Sequence, residues 1–137
     1  MSVVVNFLIS VVTLTLGVTL LTLFEKDKNK NMLKDMKFND RMFRAVVDDR
    51  KTVTRRRDKK EIYPGEFFSA VNVTTGERLL MRCTYVYEQP LSDMTDRDAV
   101  EEGFEALCDF KQEISDIYGQ DYVAEDPKMW VYRFKKA

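Results

Sequence analysis

A lysine and a threonine inside a short basic string are the residues best suited to chemistry. The string RKTVTRR at residues 50–56 places Lys51 three residues before Thr54. Neighbouring arginines disfavour the ammonium form of a lysine, so we expect a lowered pKa for Lys51. A neutral lysine is a general base, and a threonine hydroxyl needs a base in order to attack a carbonyl carbon. The same spacing also suits the presentation of cations to a phosphate, so the residues alone leave catalysis and anion binding open.

A dense run of positive charge surrounds these two residues. Residues 50–60 include seven basic side chains and one acid, Asp58. Such a run attracts phosphate or another polyanion, although it is also typical of a solvated loop. The RNA or phosphate contacts that we expect from this run involve Arg50, Arg55, Arg56 and Arg57.

The residue types that the sequence lacks exclude several mechanisms. The chain of 137 residues contains no histidine, which removes Ser-His-Asp and Cys-His catalysis and histidine metal sites. Cys83 and Cys108 form no CxxC pair, and we expect both to be small buried hydrophobic residues in a reducing compartment. We therefore expect no metal and no cofactor. With 45% hydrophobic residues, 33% charged residues and a net charge of −1, the composition is that of a folded domain.

The first residues form a separate apolar segment. Residues 2–24 contain no charged side chain, and as a helix they would span about 33 Å, enough to cross a bilayer. Basic residues follow this segment but do not precede it, so the positive-inside rule places the remainder in the cytoplasm. We expect a transmembrane segment at 1–24, a polar linker at 25–35 and a folded domain at 36–137. The alternative is a start at Met32 or Met36 and a cytoplasmic protein.

The rest of the sequence alternates between helical and strand patterns. Asn39 is a good helix N-cap, Pro64-Gly65 is a turn signal, and Thr95 with Asp98 resembles a capping box. In chain order the patterns predict a short strand at 37–38, a helix at 39–49, a loop or irregular strand at 50–60, strands at 67–73 and 78–87, helices at 95–102 and 104–117, and a strand at 129–134. This order is typical of an α+β fold.

These segments together resemble an ASCH domain, a small α+β fold of the PUA-like group that handles RNA or nucleosides. The string ending in T-x-R, after the helix FNDRMFRAVVDD, is similar to the opening of such domains, including those that bacteriophages encode. The strings YPGE, LSDMT, AVEEGF and WVYRF follow in the family's order, so the resemblance covers roughly 100 residues. It implies a small PUA-like β-barrel with flanking helices, preceded here by a single hydrophobic N-terminal helix that the family pattern lacks.

One branch of this family, a small bacterial amidohydrolase, removes the acetyl group from cytidine acetylated on its exocyclic amine. Its site uses a lysine, a threonine three residues later and a glutamate in the later helix. By resemblance these fall on Lys51, Thr54 and Glu102. The resemblance implies that Lys51 is the base, that Thr54 is the nucleophile, and that Glu102 orients the lysine or relays a proton. We expect the three side chains to converge on one cleft.

Several alternatives stay open beside hydrolysis of an amide on a modified nucleoside. Other members of the family are ribonucleases or RNA binders, so the domain is alternatively an RNA-binding module or a ribonuclease that uses the basic run. A third class is a membrane-tethered accessory protein. Lys51 and Glu102 also suit an ordinary salt bridge, and Glu101 competes with Glu102 for the inward position. Trp130 and Phe67 are candidates for stacking on a base, although aromatic residues on alternating strands favour the core.

Overall fold

A computed structural model describes residues 33–137 of the chain. The expected transmembrane segment at 1–24 lies outside the described residues, as do residues 25–32 of the expected linker. None of the helices within residues 33–137 combines the length and the hydropathy that a bilayer crossing requires. The membrane anchor therefore stays a prediction from the sequence.

The described part of the chain has an α+β fold, which confirms the predicted fold class. A mixed sheet provides the framework, and the helices are inserted between its strands along the chain. In chain order the elements are β1 (Lys34–Phe38), α1 (Asp40–Val47), β2 (Val53–Arg56), β3 (Phe67–Asn72), β4 (Arg78–Pro90), a 3₁₀ helix (Leu91–Asp93), α2 (Asp96–Glu101), α3 (Leu107–Tyr118), α4 (Gln120–Ala124) and β5 (Lys128–Lys136).

The five strands form one sheet in the order β1-β3-β4-β5-β2. β1 pairs with β3 in parallel, and the other neighbours are antiparallel. The register shifts between Cys83 and Tyr85 on β4, and such irregularities bend a strand. The Arg56 guanidinium of β2 donates to the Lys37 carbonyl of β1 at 2.7 Å, so the two edge strands approach each other. The sheet curls into a half-barrel, and the predicted β-barrel is confirmed in part.

Three predicted boundaries need correction. β1 begins at Lys34, because Lys34 and the next residue pair with β3, so the end of the expected linker belongs to the sheet. The basic run contains a regular strand, β2, because that segment pairs with β5. The helix expected from Phe104 begins at Leu107, since Gly103 at φ +94° separates the two helices. Ile117, the last residue of the apolar face predicted for this helix, is exposed, so that part of the prediction is also wrong.

The core lies between the sheet and the helices. Asn39 caps α1 by accepting a hydrogen bond from the Met42 amide at 2.8 Å. The Phe134 ring of β5 meets the rings of Phe38 and Phe68 edge to face, with centroids 6.3 and 5.9 Å apart. Such contacts stabilise beyond the apolar area that they bury. The core residues that α1 and α3 supply are Met42, Phe43, Ala45, Val46, Phe110 and Ile114.

The two cysteines occupy different environments. Cys83 of β4 is fully buried, as expected for a small hydrophobic residue. Cys108 is exposed on the first turn of α3, so the expectation that it is buried is wrong. The hydrophobic stripe of that helix falls on Phe110 and Ile114 and leaves Cys108 on the solvent side.

Two adjacent phenylalanines on β3 give a direct test of the register in which β3 pairs with β4. Phe68 is 1% exposed and Phe67 is 47% exposed, because successive side chains of a strand point to opposite faces. We expect Phe68→Ala to lower the free energy of unfolding by about 3–5 kcal/mol, as deletion of a buried ring does. Phe67→Ala is the matched control and should cost about 1 kcal/mol or less. Equal losses in urea titrations of the two variants would contradict the register.

Candidate active site

The position of Glu102 at the C-terminal end of helix α2 directs its side chain into the domain. The Glu102 amide, at the C-cap of α2, donates to the carbonyls of Asp98 and Ala99, and the chain then turns at Gly103. The Glu102 side chain is only 2% exposed. Its neighbour Glu101 points outward and pairs with Arg133 at 3.0 Å. The structure therefore places Glu102, and not Glu101, at the interior position.

Lys51 is fixed by the turn that follows α1. The amide nitrogens of Arg50 and Lys51 both donate to the Ala45 carbonyl, at 2.8 and 3.0 Å. The amide of Thr52 donates to the Glu101 carbonyl at 2.9 Å, which joins this turn to the end of α2. These backbone bonds bring Lys51 against Glu102. The Lys51 Nζ donates to Oε1 of Glu102 at 2.6 Å and to its backbone carbonyl at 3.1 Å.

A second cation holds the other oxygen of the same carboxylate. Arg55 donates through Nη1 to Oε2 of Glu102 at 2.9 Å. Its Nη2 and Nε donate to Oε1 of Gln89 at 2.8 and 3.2 Å, and Nη2 also lies 3.8 Å from Oδ1 of Asp98. The Arg55 side chain is 1% exposed, so the guanidinium is satisfied entirely inside the domain. Glu102 therefore bridges two buried cations, Lys51 and Arg55.

The pKa of Lys51 is lowered from its ordinary value, as the sequence predicts, but the main cause differs. Burial is the largest contribution, because an ammonium loses its hydration in the interior. Glu102 opposes this shift by charge and by its hydrogen bond, and Arg56 and Arg55 add smaller lowering contributions. The arginine field that the sequence suggested is thus the minor cause.

Thr54 lies on β2 beside these charges. It pairs with Tyr132 of β5 and is 4% exposed. Its Oγ1 accepts a long hydrogen bond of 3.4 Å from Nε of Arg56. Burial lowers the pKa of Arg56, whose Nη2 donates to the Lys37 carbonyl. The hydroxyl of Thr54 therefore faces a partly desolvated guanidinium.

Lys51, Thr54 and Glu102 line one cavity of about 170 Å³. The structure thus brings together the three residues that the resemblance selected. The volume suits a small group rather than a drug-sized ligand, which needs about 300 Å³ or more. The remaining wall is largely apolar and aromatic, and it includes Phe38, Phe104, Phe110, Ile114, Ile117 and Tyr118.

A wider groove of about 1030 Å³ adjoins this cavity. The two share Met42, Phe104 and Glu113 in their walls. The groove is bordered by both charge signs, with Arg41 and Arg50 among several carboxylates. A ligand that reaches the cavity therefore has open space beside it.

The structure separates the four arginines that the sequence grouped as one anion-binding surface. Arg50 and Arg57 are exposed and pair with Asp48 and Asp58, both at 3.3 Å. Arg55 is buried against Glu102, and Arg56 lines the cavity. The four side chains therefore do not form one basic surface, because Arg55 and Arg56 are held in contacts with Glu102 and with the Lys37 carbonyl.

The two aromatic candidates for base stacking lie outside the cavity. Trp130 is half-buried on β5, with the Lys59 ammonium 4.9 Å from its ring centroid. Phe67 is exposed on β3 beside Arg82. The aromatic residues that do line the cavity include Phe38 and Tyr118, which no sequence motif indicated. Within residues 33–137, no cluster of three or more cysteine or carboxylate side chains is arranged to hold a metal ion.

Gly103 has a backbone conformation that favours glycine, and this yields a prediction. A Cβ at position 103 would lie 3.5 Å from Cβ of Lys51 and 3.4 Å from Cβ of Ala45, which are ordinary van der Waals contacts, but its φ is +94°. Gly76 has a similar φ of +80° with nothing within 4 Å, so Gly76→Ala isolates the backbone strain. We expect Gly103→Ala and Gly76→Ala each to lower the free energy of unfolding by about 1 kcal/mol or more, because both place an L side chain in the left-handed region. Chemical denaturation measures both, and an unchanged stability of Gly103→Ala would contradict the strain at this turn.

No family model matches the chain, and no curated protein matches it significantly. Solved structures do match. A protein of the DUF984 family from Enterococcus faecalis V583 is 16% identical over 85% of this chain and 90% of its own, with a TM-score of 0.61.

Two ASCH-domain structures also match. The domain from Lactobacillus crispatus JV V101 is 11% identical, covering 76% of this chain and 79% of its own, with a TM-score of 0.63. The ASCH protein from Zymomonas mobilis is 12% identical, covering 74% of this chain and 66% of its own, with a TM-score of 0.58. At these identities the likeness establishes the fold alone. The chain therefore has the fold of ASCH domains, as the order of its sequence motifs predicts.

Proposed function

We propose that this domain hydrolyses an amide on a modified nucleoside of the acetylcytidine type. The observation that supports it most is the buried Lys51–Glu102 pair in one cavity with Thr54. A lysine whose pKa is lowered is better suited to act as a general base than an ordinary lysine, and the buried hydroxyl of Thr54 in the same cavity is a suitable nucleophile.

The proposed reaction has two steps. Lys51 accepts the proton of Thr54 while Oγ1 attacks the acyl carbon, and the same proton then passes to the leaving amine as the C–N bond breaks. Water next attacks the acyl ester on Thr54, with Lys51 again as the base, and releases the carboxylic acid. Both hydrogen bonds that Lys51 Nζ makes to described residues go to Glu102, which supports a role for Glu102 in orienting the amine.

A cation beside the proposed nucleophile also supports the proposal. Nε of Arg56 lies 3.4 Å from Oγ1 of Thr54, so the guanidinium is near enough to stabilise negative charge that develops on an acyl group bound to this oxygen. Groups fixed in advance around such an oxyanion are a large source of catalysis. The rings of Phe38 and Tyr118 give the cavity an apolar side that suits a planar base.

Hydrolysis of acetylcytidine by the full chain tests this proposal. We expect Lys51→Met and Thr54→Ala each to lower the rate by about 10²–10⁴, the usual contribution of such groups. The double variant should cost little more than either, because the two residues act as a unit. Glu102→Gln should slow the reaction less, since it removes positioning alone.

Neighbouring residues provide matched controls. Thr52→Ala and Glu101→Gln alter the same residue types one or two positions away, outside the cavity. Both should retain most of the activity. If the wild-type chain does not cleave acylated cytidine, or if Thr54→Ala retains the wild-type rate, the proposal is wrong.

RNA binding is the second candidate, and a specific observation favours it. The Arg57 guanidinium lies 5.0 Å from the ring centroid of Tyr118, which lines the cavity. The Lys59 ammonium lies near the rings of both Trp130 and Tyr63. Alternating cations and aromatic rings are typical of surfaces that bind single-stranded nucleic acid.

The salt dependence of RNA binding tests this second candidate function. Phosphate contacts release counterions, so affinity for a short single-stranded RNA should fall steeply from about 50 to 200 mM salt. The Arg57→Ala/Lys59→Ala variant should weaken binding and flatten the salt dependence. Arg97→Ala, an exposed arginine on α2 with a side chain 89% exposed, is the control and should bind like wild type. Binding that is indifferent to salt would exclude the phosphate contacts.

A further inference from the structure

Three ionisable groups share one buried site, and their charges do not cancel when all are ionised. The side chains of Lys51, Arg55 and Glu102 are 3%, 1% and 2% exposed. With Lys51 protonated, the three carry two positive charges and one negative charge. Asp98, which is 16% exposed, adds a carboxylate 3.8 Å from Nη2 of Arg55, and Arg56 adds a further cation to the cavity wall. With Lys51 neutral, the remaining pair of Arg55 and Glu102 is balanced. Arginine keeps its proton at every working pH, so Lys51 is the cation that can relieve the excess.

The geometry gives each cation its own oxygen of the carboxylate. Nζ of Lys51 donates to Oε1 of Glu102 at 2.6 Å, and Nη1 of Arg55 donates to Oε2 at 2.9 Å. Loss of the Lys51 proton therefore leaves Glu102 paired with a permanent cation. Without Arg55, the same proton loss would leave an unpaired buried carboxylate, which is strongly unfavourable.

We propose that Arg55 is a positioning residue that holds and balances Glu102, so that Lys51 can release its proton inside the cavity and serve as the base. This rests on the proposed hydrolase function and adds the group that makes the base available. Arg55 acts through Glu102 rather than on the substrate. Gln89 fixes it on the other side, because Oε1 of Gln89 accepts from both Nε and Nη2.

Arg56 is also close to Lys51, but its role differs. Its described side-chain hydrogen bonds go to the Lys37 carbonyl and to Thr54, so it does not share the Glu102 carboxylate. Its charge lowers the pKa of Lys51 by repulsion, and this direct contribution is larger than that of Arg55. Other charged or titratable groups border the same cavity or its ion pairs, and these are Lys37 of β1, Asp98 and Glu101 of α2, and Glu113 and Tyr118 of α3.

The pH dependence of hydrolysis by full-length variants tests the role of Arg55. In the wild type, the rate should rise with pH as Lys51 loses its proton. In Arg55→Met, removal of the balancing charge raises the pKa of Lys51, so this rise moves to higher pH. A displacement of one pH unit lowers the neutral fraction at pH 7 about tenfold, and activity should recover at alkaline pH.

Three further variants separate charge from structure. Arg55→Lys keeps the positive charge and should keep the profile near that of the wild type. Arg55→Gln is a second neutral variant that can still hydrogen-bond, and it should behave like Arg55→Met. Arg133→Met removes the same residue type from the adjacent pair with Glu101, and it should not displace the profile.

The free energy of unfolding against pH gives a readout that does not need activity. Lys51 has a lowered pKa in the folded state, so between that value and 10.5 the unfolded chain binds more protons and stability rises with pH. The increase of the free energy of unfolding with pH should be smaller in Arg55→Met and Arg55→Gln than in the wild type. It should keep its wild-type size in Arg55→Lys and Arg133→Met.

The two readouts distinguish the possible failures. If the wild type does not hydrolyse acylated cytidine, the proposed function fails while the stability profiles still decide the role of Arg55. If Arg55→Met lowers the rate equally at every pH and its stability profile parallels that of the wild type, Arg55 is only structural and the inference is overturned.

Discussion

The Glu102 carboxylate is almost fully removed from water and lies between Lys51 and Arg55, two cations that are buried as deeply. Such a carboxylate is tolerated only where partners satisfy both of its oxygens, and loss of one partner of a buried pair typically costs about 3–5 kcal/mol. The fold meets this requirement with three separate segments. The turn after α1 supplies Lys51, β2 supplies Arg55, and the end of α2 supplies Glu102.

Curling of the sheet makes this convergence possible. β1 and β2 are opposite edges of the strand order, yet Arg56 of β2 donates to the Lys37 carbonyl of β1. This brings Phe38 from one edge and Thr54 from the other to the same cavity. Helix α3 forms another wall of that cavity and contributes side chains that include Phe110 and Tyr118. An apolar wall beside buried charges strengthens electrostatic interactions, because little water is present to screen them.

The sequence predicted local features better than it predicted side-chain environments. Asn39 and Thr95 cap helices as predicted, because their side chains bond backbone amides within three residues. The grouping of Lys51, Thr54 and Glu102 came from resemblance, since 51 positions separate Lys51 from Glu102 and no local pattern links them. The prediction of anion contacts from the basic run did not anticipate the buried position of Arg55, and the reason is physical. Charge density along the chain does not reveal that β2 pairs with β5 and turns Arg55 inward.

The central claim is that burial lowers the pKa of Lys51 in the folded protein against the opposing effect of Glu102, so that its neutral amine becomes available as a base. An NMR titration of the side-chain nitrogen of Lys51 in lysine-labelled protein tests it most directly, with Lys51→Met to identify the signal. The account predicts that this nitrogen changes from ammonium to amine at a pH below 10.5. A Lys51 nitrogen that stays an ammonium up to pH 10.5 or above would contradict the claim and leave the site without its base.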